Sequence, residues 1–274
     1  MLVDCHAHLD PFSDDDVSRI LDRAHAAGVG AVISAGTTVE SSARSVELSA
    51  RFPALFSGVG IHPMDIREPF DDSAAERLRS LATSTAKVVV FSEIGLDFME
   101  GAPDRAVQYD AFRQQIRLAR DLKLPIVFHS RESHDEVIRV LREERAYEVG
   151  GAMHYFQADA PTARKAIDLG FYISLARPLL RLTHLQEVAA GLPLEHILLE
   201  SDAAPQPFKS KRENWTEPRH VKTVAVKLAE LHARPVEEIV EVTTANVRAL
   251  LGERWEAVET YVSSRSATRA DSGP

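Results

Sequence analysis

Two histidines separated by one residue stand near the start of the chain, in the stretch VDCHAH at residues 3–8. Residues two apart on a strand point to the same face, so His6 and His8 lie side by side if this stretch is a strand. Imidazole nitrogens are good ligands for zinc, manganese and related ions. Buried polar groups without partners cost about 1 to 3 kcal/mol each, so a bound cation explains this pair better than packing alone.

Further side chains of ligand type stand at or just after later apolar runs. A single histidine in such a run is more often a hydrogen-bonded core residue than a ligand, but several at strand ends support one another. The candidate metal ligands are His6, His8, Glu93, His129, His154 and Asp202. This mixture of nitrogen and oxygen donors suits a pair of divalent ions about 3.5 to 4 Å apart, and Glu93 is the best-placed carboxylate to bridge them.

The elements that must position these residues alternate between short apolar runs and longer helical patterns. The predicted strands are residues 2–8, 31–36, 55–62, 87–95, 125–130, 150–156, 171–175 and 196–201. A helical pattern follows each of the first seven strands, and two terminal helices follow the eighth. This alternation predicts an α/β fold, a single (β/α)₈ TIM barrel with the metal site at the C-terminal ends of its strands.

Length and composition are those of an ordinary globular protein. The chain has 274 residues, of which 45% are hydrophobic and 27% charged, and its net charge of -9 argues against a broad basic surface for duplex nucleic acid. Residues 1–261 are predicted as one barrel domain, and residues 262–274, which are small and polar, as a disordered tail. The single cysteine and the absence of a signal-peptide or membrane-span pattern predict a cytoplasmic protein without membrane partners.

Several motifs together resemble the TatD family of metal-dependent deoxyribonucleases, which belong to the amidohydrolase-like barrels. The matching motifs are DCHAH (4–8), GIHP (60–63), EIGLDF (93–98), FRQQIRLARDLKLPIVFHSR (112–131), HYF (154–156), LESD (199–202) and TTANVRALL (243–251). The ordered set covers nearly the whole chain, so it is far more specific than a lone HxH. The resemblance implies two metal sites that share one carboxylate. One would use His6, His8, Glu93 and Asp202, and the other would use Glu93, His129 and His154.

The same resemblance implies hydrolysis of DNA phosphodiester bonds, with single strands trimmed from the three-prime end by a water that two divalent ions activate. The ions would be magnesium, manganese or zinc. Asp202 is the group expected to take the proton of this water and return it to the leaving group, with Glu93 as the bridging carboxylate. No protein partner is predicted.

Two other functions remain open on the residues alone. A centre of this kind also polarises carbonyl groups, so hydrolysis of small-molecule esters, amides or lactones, or of the ester bond in a D-aminoacyl-tRNA, is the alternative activity. A metal-stabilised binding protein without activity is the third reading, and the plausible base Asp202 argues against it.

Substrate contacts are predicted at single positions around the strand ends. His62 of the GIHP motif is expected either to contact substrate or to fix the turn before Pro63. Arg131 is expected either to bind phosphate through its planar guanidinium or to pair with Asp97 or Glu200.

One basic and aromatic stretch lies near the predicted mouth of the barrel, and its candidate nucleic-acid contacts are Lys209, Lys211, Arg212 and Trp215. Cations would pair with phosphates while a base stacks on the indole, although a charged loop is more often simply solvated. The chain departs from the family pattern at Ser92, where glycine is usual, and at Ala204, which adds a residue before Pro205. These departures leave the predicted ligands in place and predict an altered loop beside the substrate.

Overall fold

The computed structural model describes the backbone of residues 1–270 and the side-chain surroundings of residues 1–262. Eight parallel strands follow one another around one sheet in chain order. They are β1 Leu2–Ala7, β2 Val29–Ala35, β3 Leu55–Val59, β4 Val88–Asp97, β5 Ile126–Arg131, β6 Gly151–Met153, β7 Tyr172–Leu175 and β8 Ile197–Leu199. Beyond β8, the amide of Asp202 donates to the carbonyl of His6 at 2.9 Å and a bridge pairs Ala7 with Ala203. The sheet thereby meets its own first strand, which confirms the TIM barrel.

A helix follows every strand, as the alternating pattern predicts. The helices are α1 Asp14–Ala26, α2 Val39–Arg51, α3 Asp72–Ser84, α4 Arg105–Leu122, α5 His134–Glu143, α6 Ala160–Asp168, α7 Thr183–Ala190, α8 Val221–His232, α9 Val236–Leu251 and α10 Trp255–Ala270. The start of α1 illustrates why they form where they do. The Ser13 hydroxyl accepts a hydrogen bond from the amide of Asp16, and acidic residues in the first turn favour the positive end of the helix dipole.

The C-terminal region differs from the sequence-based expectation. In the described residues three helices follow β8 rather than two, and α10 runs from Trp255 to Ala270. The disorder expected for residues 262–274 stays a prediction. No glycine or proline interrupts residues 255–270, and Trp255 and Val258 are buried, so the helix is anchored at its start and nothing in its sequence stops it. Residues 271–274 of the predicted tail lie outside the described part of the chain.

Buried apolar residues hold the strands in two clusters. The larger joins strand residues such as Phe91 to helix residues such as Phe112. The second joins Val3 and Cys5 of β1 to Trp255 of α10. Together they fix the strands whose carboxyl ends carry the candidate ligands. Among the helices of residues 1–270, none has the length and apolar character that crossing a membrane requires.

Candidate metal centre

Glu93 lies at the middle of a cluster of imidazoles at the carboxyl ends of the strands. It belongs to β4 and is only 3% exposed. Its Oε2 lies 3.2 Å from Nε2 of His6 and 3.3 Å from Nε2 of His8. Its Oε1 lies 3.1 Å from Nδ1 of His129 and 2.6 Å from Nε2 of His154. The two oxygens of one carboxylate therefore face different imidazoles, and His62 also lies 3.3 Å from Oε1.

Asp202 completes the set of six candidate ligands, all of which the fold brings together. It follows β8, has a left-handed backbone with φ of 52°, and places Oδ1 3.5 Å from Nε2 of His8. Three overlapping groups have ligand atoms within 4.8 Å of one another. They are His6, His8 and Glu93; His6, His154 and Asp202; and His62, Glu93 and His129. The donor set is thus suited to divalent cations of the zinc or manganese type.

The remote ring nitrogens of two histidines show which nitrogen is available for a metal. Nδ1 of His8 lies 3.2 Å from the carbonyl oxygen of Ala35, which can only accept a hydrogen bond. Nε2 of His129 lies 2.9 Å from Oδ2 of Asp97, whose carboxylate likewise accepts. In the neutral form of each ring, which is the form that binds a metal, the proton therefore sits on the remote nitrogen. The nitrogen that faces Glu93 keeps its lone pair, which is the usual arrangement of metal-binding histidines.

A buried carboxylate lies beside the remote nitrogen of His154, which makes no hydrogen bond in the described structure. Glu200 is fully buried, and its Oε1 lies 3.4 Å from Nδ1 of His154. The same oxygen accepts the amide of Tyr155 at 2.6 Å, while Oε2 accepts the Ser174 hydroxyl at 2.5 Å. Glu200 thus points toward the site. These hydrogen bonds also hold Tyr155 in a left-handed backbone conformation, with φ of 46°.

The electrostatics of the cluster favour positive charge at its centre. Burial opposes charge on Glu93 and Asp202, yet the surrounding imidazoles hold the pKa of both carboxyls below the usual range. Burial likewise opposes charge on His8 and His154, but the carboxylates raise the pKa of both imidazoles. Without metal the pocket gathers protons, and bound cations would replace them.

A cavity of about 590 Å³ opens above the candidate ligands. Five of those ligands, all except His6, line the cavity, and its walls also include His62, Arg131, Glu132, His134, Tyr155 and Ala204. Sequence reasoning missed Glu132, His134 and Tyr155, although each stands within a few residues of a strand end, and that position was the available signal. Ala204, the residue added before Pro205, forms part of the wall beside the substrate space.

The structure shows where the two predicted substrate contacts, Arg131 and His62, lie and what they contact. Arg131 pairs with Asp97 through Nε at 2.8 Å and Nη2 at 2.6 Å, which was one of its two predicted partners. Its side chain is 45% exposed and still reaches the cavity wall. His62 places Nε2 3.3 Å from Oε1 of Glu93, so it belongs to the cluster. Ser92, the other departure from the family pattern, lies with Oγ 3.5 Å from Nδ1 of His6.

The predicted basic and aromatic stretch is not part of the cavity wall. Lys209 donates to two oxygens of its own loop, at 2.7 and 3.0 Å. Arg212 pairs with Asp16 at 2.7 Å and packs 5.3 Å from the ring centre of Trp215. Lys211 is 69% exposed. Contacts within the protein therefore occupy most of this stretch, and its nucleic-acid role stays a prediction.

The chain is similar to proteins of one family over most of its length. The family model for TatD-related DNases matches residues 3–252. An uncharacterized metal-dependent hydrolase, YabD of Bacillus subtilis, is 34% identical over 256 residues, which cover 91% of this chain and 98% of that protein. The 3'-5' ssDNA/RNA exonuclease TatD of Cronobacter sakazakii is 33% identical over 223 residues, which cover 77% of this chain and 84% of that protein. The crystal structure of YjjV, a TatD homolog of Escherichia coli, has a TM-score of 0.83 at 31% identity, with 91% of this chain and 97% of that chain covered.

Proposed function

Because the chain belongs to the family of TatD-related DNases and is a metal-dependent hydrolase, we propose that it trims single-stranded DNA from the three-prime end with two divalent ions. The observation that carries the proposal is the position of the Glu93 carboxylate. Its Oε2 faces His6 and His8. Its Oε1 faces His129 and His154. A carboxylate that bridges two cations has this arrangement. The proposed ligands of one ion are His6, His8, Glu93 and Asp202, and those of the other are Glu93, His129 and His154.

Bound divalent ions would lower the pKa of water and neutralise charge on phosphoryl oxygens. The protein must add a group that moves protons, and Asp202 is best placed for this. Both carboxyls border the cavity, but the side chain of Asp202 is 26% exposed whereas that of Glu93 is only 3% exposed. Asp202 would accept the proton of the attacking water and return it to the leaving oxygen.

Arg131 is the proposed contact for a phosphate oxygen of the substrate. Asp97 engages Nε and Nη2 of its guanidinium, which fixes the plane of the group at the cavity wall. Among the described contacts of residues 1–262, Nη1 of Arg131 has no carboxylate partner, so it can donate a hydrogen bond to an anion. A guanidinium held in this way keeps its charge and its donor geometry.

The shape of the site favours a strand end over a duplex. The cavity of about 590 Å³ sits in the mouth of a barrel whose strands are fixed by packed apolar clusters. A closed mouth of this kind accepts a terminus more easily than the middle of a rigid helix. The name of the Cronobacter sakazakii relative includes both ssDNA and RNA, so RNA is the second polymer to be tested here.

A second candidate is hydrolysis of small-molecule esters, amides or lactones, or of a D-aminoacyl-tRNA ester. Two observations favour it. The net charge is -9, and the cations of the loop at residues 205–217 are largely engaged by the protein itself. A small substrate needs no extended basic surface, whereas a polymer gains affinity from one.

The deciding experiment presents metal-loaded protein with a 5′-labelled single-stranded DNA oligonucleotide, its circular form, its duplex, an RNA of the same sequence and a panel of esters, lactones and amides. We expect stepwise shortening of the linear single strand and an intact circle. Asp202→Asn should lower kcat by about 10² to 10⁴, the usual contribution of a proton-transfer group. Asp121→Asn, which changes a carboxyl that is 65% exposed on α4, is the matched control.

Two outcomes would contradict the proposal. If the oligonucleotide stays intact while an ester or lactone is cleaved by the same sample, the second candidate replaces it. If Asp202→Asn trims the oligonucleotide at the wild-type rate, the role of Asp202 is wrong.

A further inference from the structure

His62 belongs to the cluster but differs from His8 and His129 in the partner of its remote ring nitrogen. It follows β3 and begins the short 3₁₀ turn Pro63–Asp65. Its ring is 14% exposed, packs edge-on against His129 with ring centres 4.5 Å apart, and lines the cavity. Distance alone would make it a ligand, because Nε2 lies 3.3 Å from Oε1 of Glu93.

The remote nitrogen of His62 faces a donor instead of an acceptor. The backbone amide of Met64 donates to Nδ1 of His62 at 3.1 Å. An amide N–H can only donate, so Nδ1 must carry the lone pair and the ring proton must sit on Nε2. In His8 and His129 the remote nitrogen faces the carbonyl of Ala35 and the carboxylate of Asp97, and the proton is on the remote side.

We propose that His62 is not a metal ligand and that its Nε2–H donates a hydrogen bond to the reacting phosphoryl oxygen of the substrate. This inference rests on the proposed function. To bind a metal, Nε2 would have to lose its proton to Nδ1, where the Met64 amide already points. Two donors would then face each other, so the turn selects the donor form of the ring.

The position of the donor suits the charge that builds up during phosphodiester cleavage. His62 stands on the cavity wall beside Oε1 of Glu93, the oxygen shared with His129 and His154. The Pro63–Asp65 turn and the contact with His129 fix the ring before substrate arrives. A donor that is already oriented needs no reorganisation as negative charge develops, and such donors contribute about 10² to 10³ in rate.

Two readouts test the assignment without any substrate. Long-range proton–nitrogen spectra of ¹⁵N-histidine-labelled, zinc-loaded protein should show His62 with its proton on Nε2, and the signal is assigned by its loss in His62→Gln. Elemental analysis should find the same number of zinc ions per chain in wild type, His62→Gln and His62→Phe. A His62 signal with the proton on Nδ1, or the loss of one ion in His62→Phe, would overturn the inference.

The kinetic test separates donation from packing. In His62→Phe we expect kcat to fall by about 10²-fold or more with a small change in KM. His62→Gln keeps an amide donor near the position of Nε2, so we expect it to recover at least about tenfold of that loss. His25→Gln on α1 is the control histidine. An unchanged kcat in His62→Phe, or recovery of that variant by excess metal, would refute the donor role.

Failure of the proposed function is distinguishable from failure of this inference. If wild-type protein leaves oligonucleotides intact but cleaves an ester, the proposed substrate is wrong, and the spectra and ion counts still decide whether His62 is a donor or a ligand.

Discussion

Replacing Asp97 tests how the protein orients one of its proposed ligands. Asp97 ends β4 and is fully buried. Its Oδ2 accepts from Nε2 of His129 at 2.9 Å and from Nε of Arg131 at 2.8 Å, while Oδ1 accepts from the amide of Met99 at 3.0 Å. Burial would raise the pKa of Asp97, but these hydrogen bonds hold the pKa well below the usual range, so Asp97 stays ionised and can only accept hydrogen bonds.

The expected magnitude follows from how many acceptor atoms each variant keeps. Outer partners of metal-bound histidines are worth about 10- to 100-fold in metal affinity. In Asp97→Asn one oxygen can stay on His129 while the amino group faces the Met99 amide, so we expect a loss of about tenfold, about 1.4 kcal/mol. Asp97→Ala leaves no acceptor, and we expect about 100-fold, about 2.7 kcal/mol. Release of Arg131 adds little, because its side chain is 45% exposed and rehydrates.

The assay is a zinc titration in competition with a chromophoric chelator, which resolves the two binding steps. We expect weakening in the step that uses His129. The step that uses His6 and His8 should shift little, because Asp97 contacts neither residue in the described structure. Asp121→Asn, an exposed carboxyl on α4, is the control.

Two results would refute this reasoning. Wild-type zinc affinity in folded Asp97→Ala would show that Asp97 does not support the ligand. Equal weakening of both steps would show that His129 is not confined to one ion.

Two further predictions concern the scaffold. Hydrogen bonds from Arg117 hold the pKa of Glu144 below its ordinary value of 4.5, so the stabilisation is present above that pH and disappears as the pH falls through the lowered pKa. Glu144→Gln should therefore lower the free energy of thermal unfolding by about 1 to 2 kcal/mol at pH 7 and by less near pH 3. Equal losses at both pH values would contradict the assignment. Glu143→Gln is the control, and because Glu143 is 43% exposed this variant should change unfolding less. At Gly95, an added Cβ would meet the His129 carbonyl oxygen at 2.1 Å. Gly95→Ala should therefore lower the free energy of urea unfolding by about 3 kcal/mol and weaken zinc binding. Wild-type stability of this variant would contradict the prediction.

The candidate ligands could be found from the sequence because of how the barrel is built. Parallel strands end at one rim, so ligand-type residues at strand ends must meet there, however far apart they lie in the chain. His6 and Asp202 are separated by nearly the whole barrel, yet backbone hydrogen bonds place their segments side by side. Alternation of apolar runs and helical patterns also located most element boundaries to within a few residues.

The remote partners of the histidines could not be found in this way. Whether Nδ1 of a ring faces a carbonyl, as in His8, or an amide, as in His62, depends on the local turn and on a neighbouring strand. No spacing rule encodes that difference. The tautomer that separates a ligand from a donor therefore appears only in three dimensions.

The sequence identifies the cations of the loop at residues 205–217 but not their partners. In the structure Lys209 donates to the Asn214 carbonyl, and Arg212 pairs with Asp16. Their contact with nucleic acid stays a prediction. The sequence did not predict α10 because residues 262–270 are polar with little apolar periodicity, while the buried Trp255 lies before that segment.

The most direct test of the central claim is the number of divalent ions that each chain holds. Protein loaded with zinc or manganese and then desalted should contain two ions per chain by elemental analysis. Glu93→Gln, which removes the shared carboxylate, should contain one ion or none. Wild-type protein that is folded yet retains no ion, or a Glu93→Gln variant that retains two, would contradict the claim that Glu93 bridges a pair of metals.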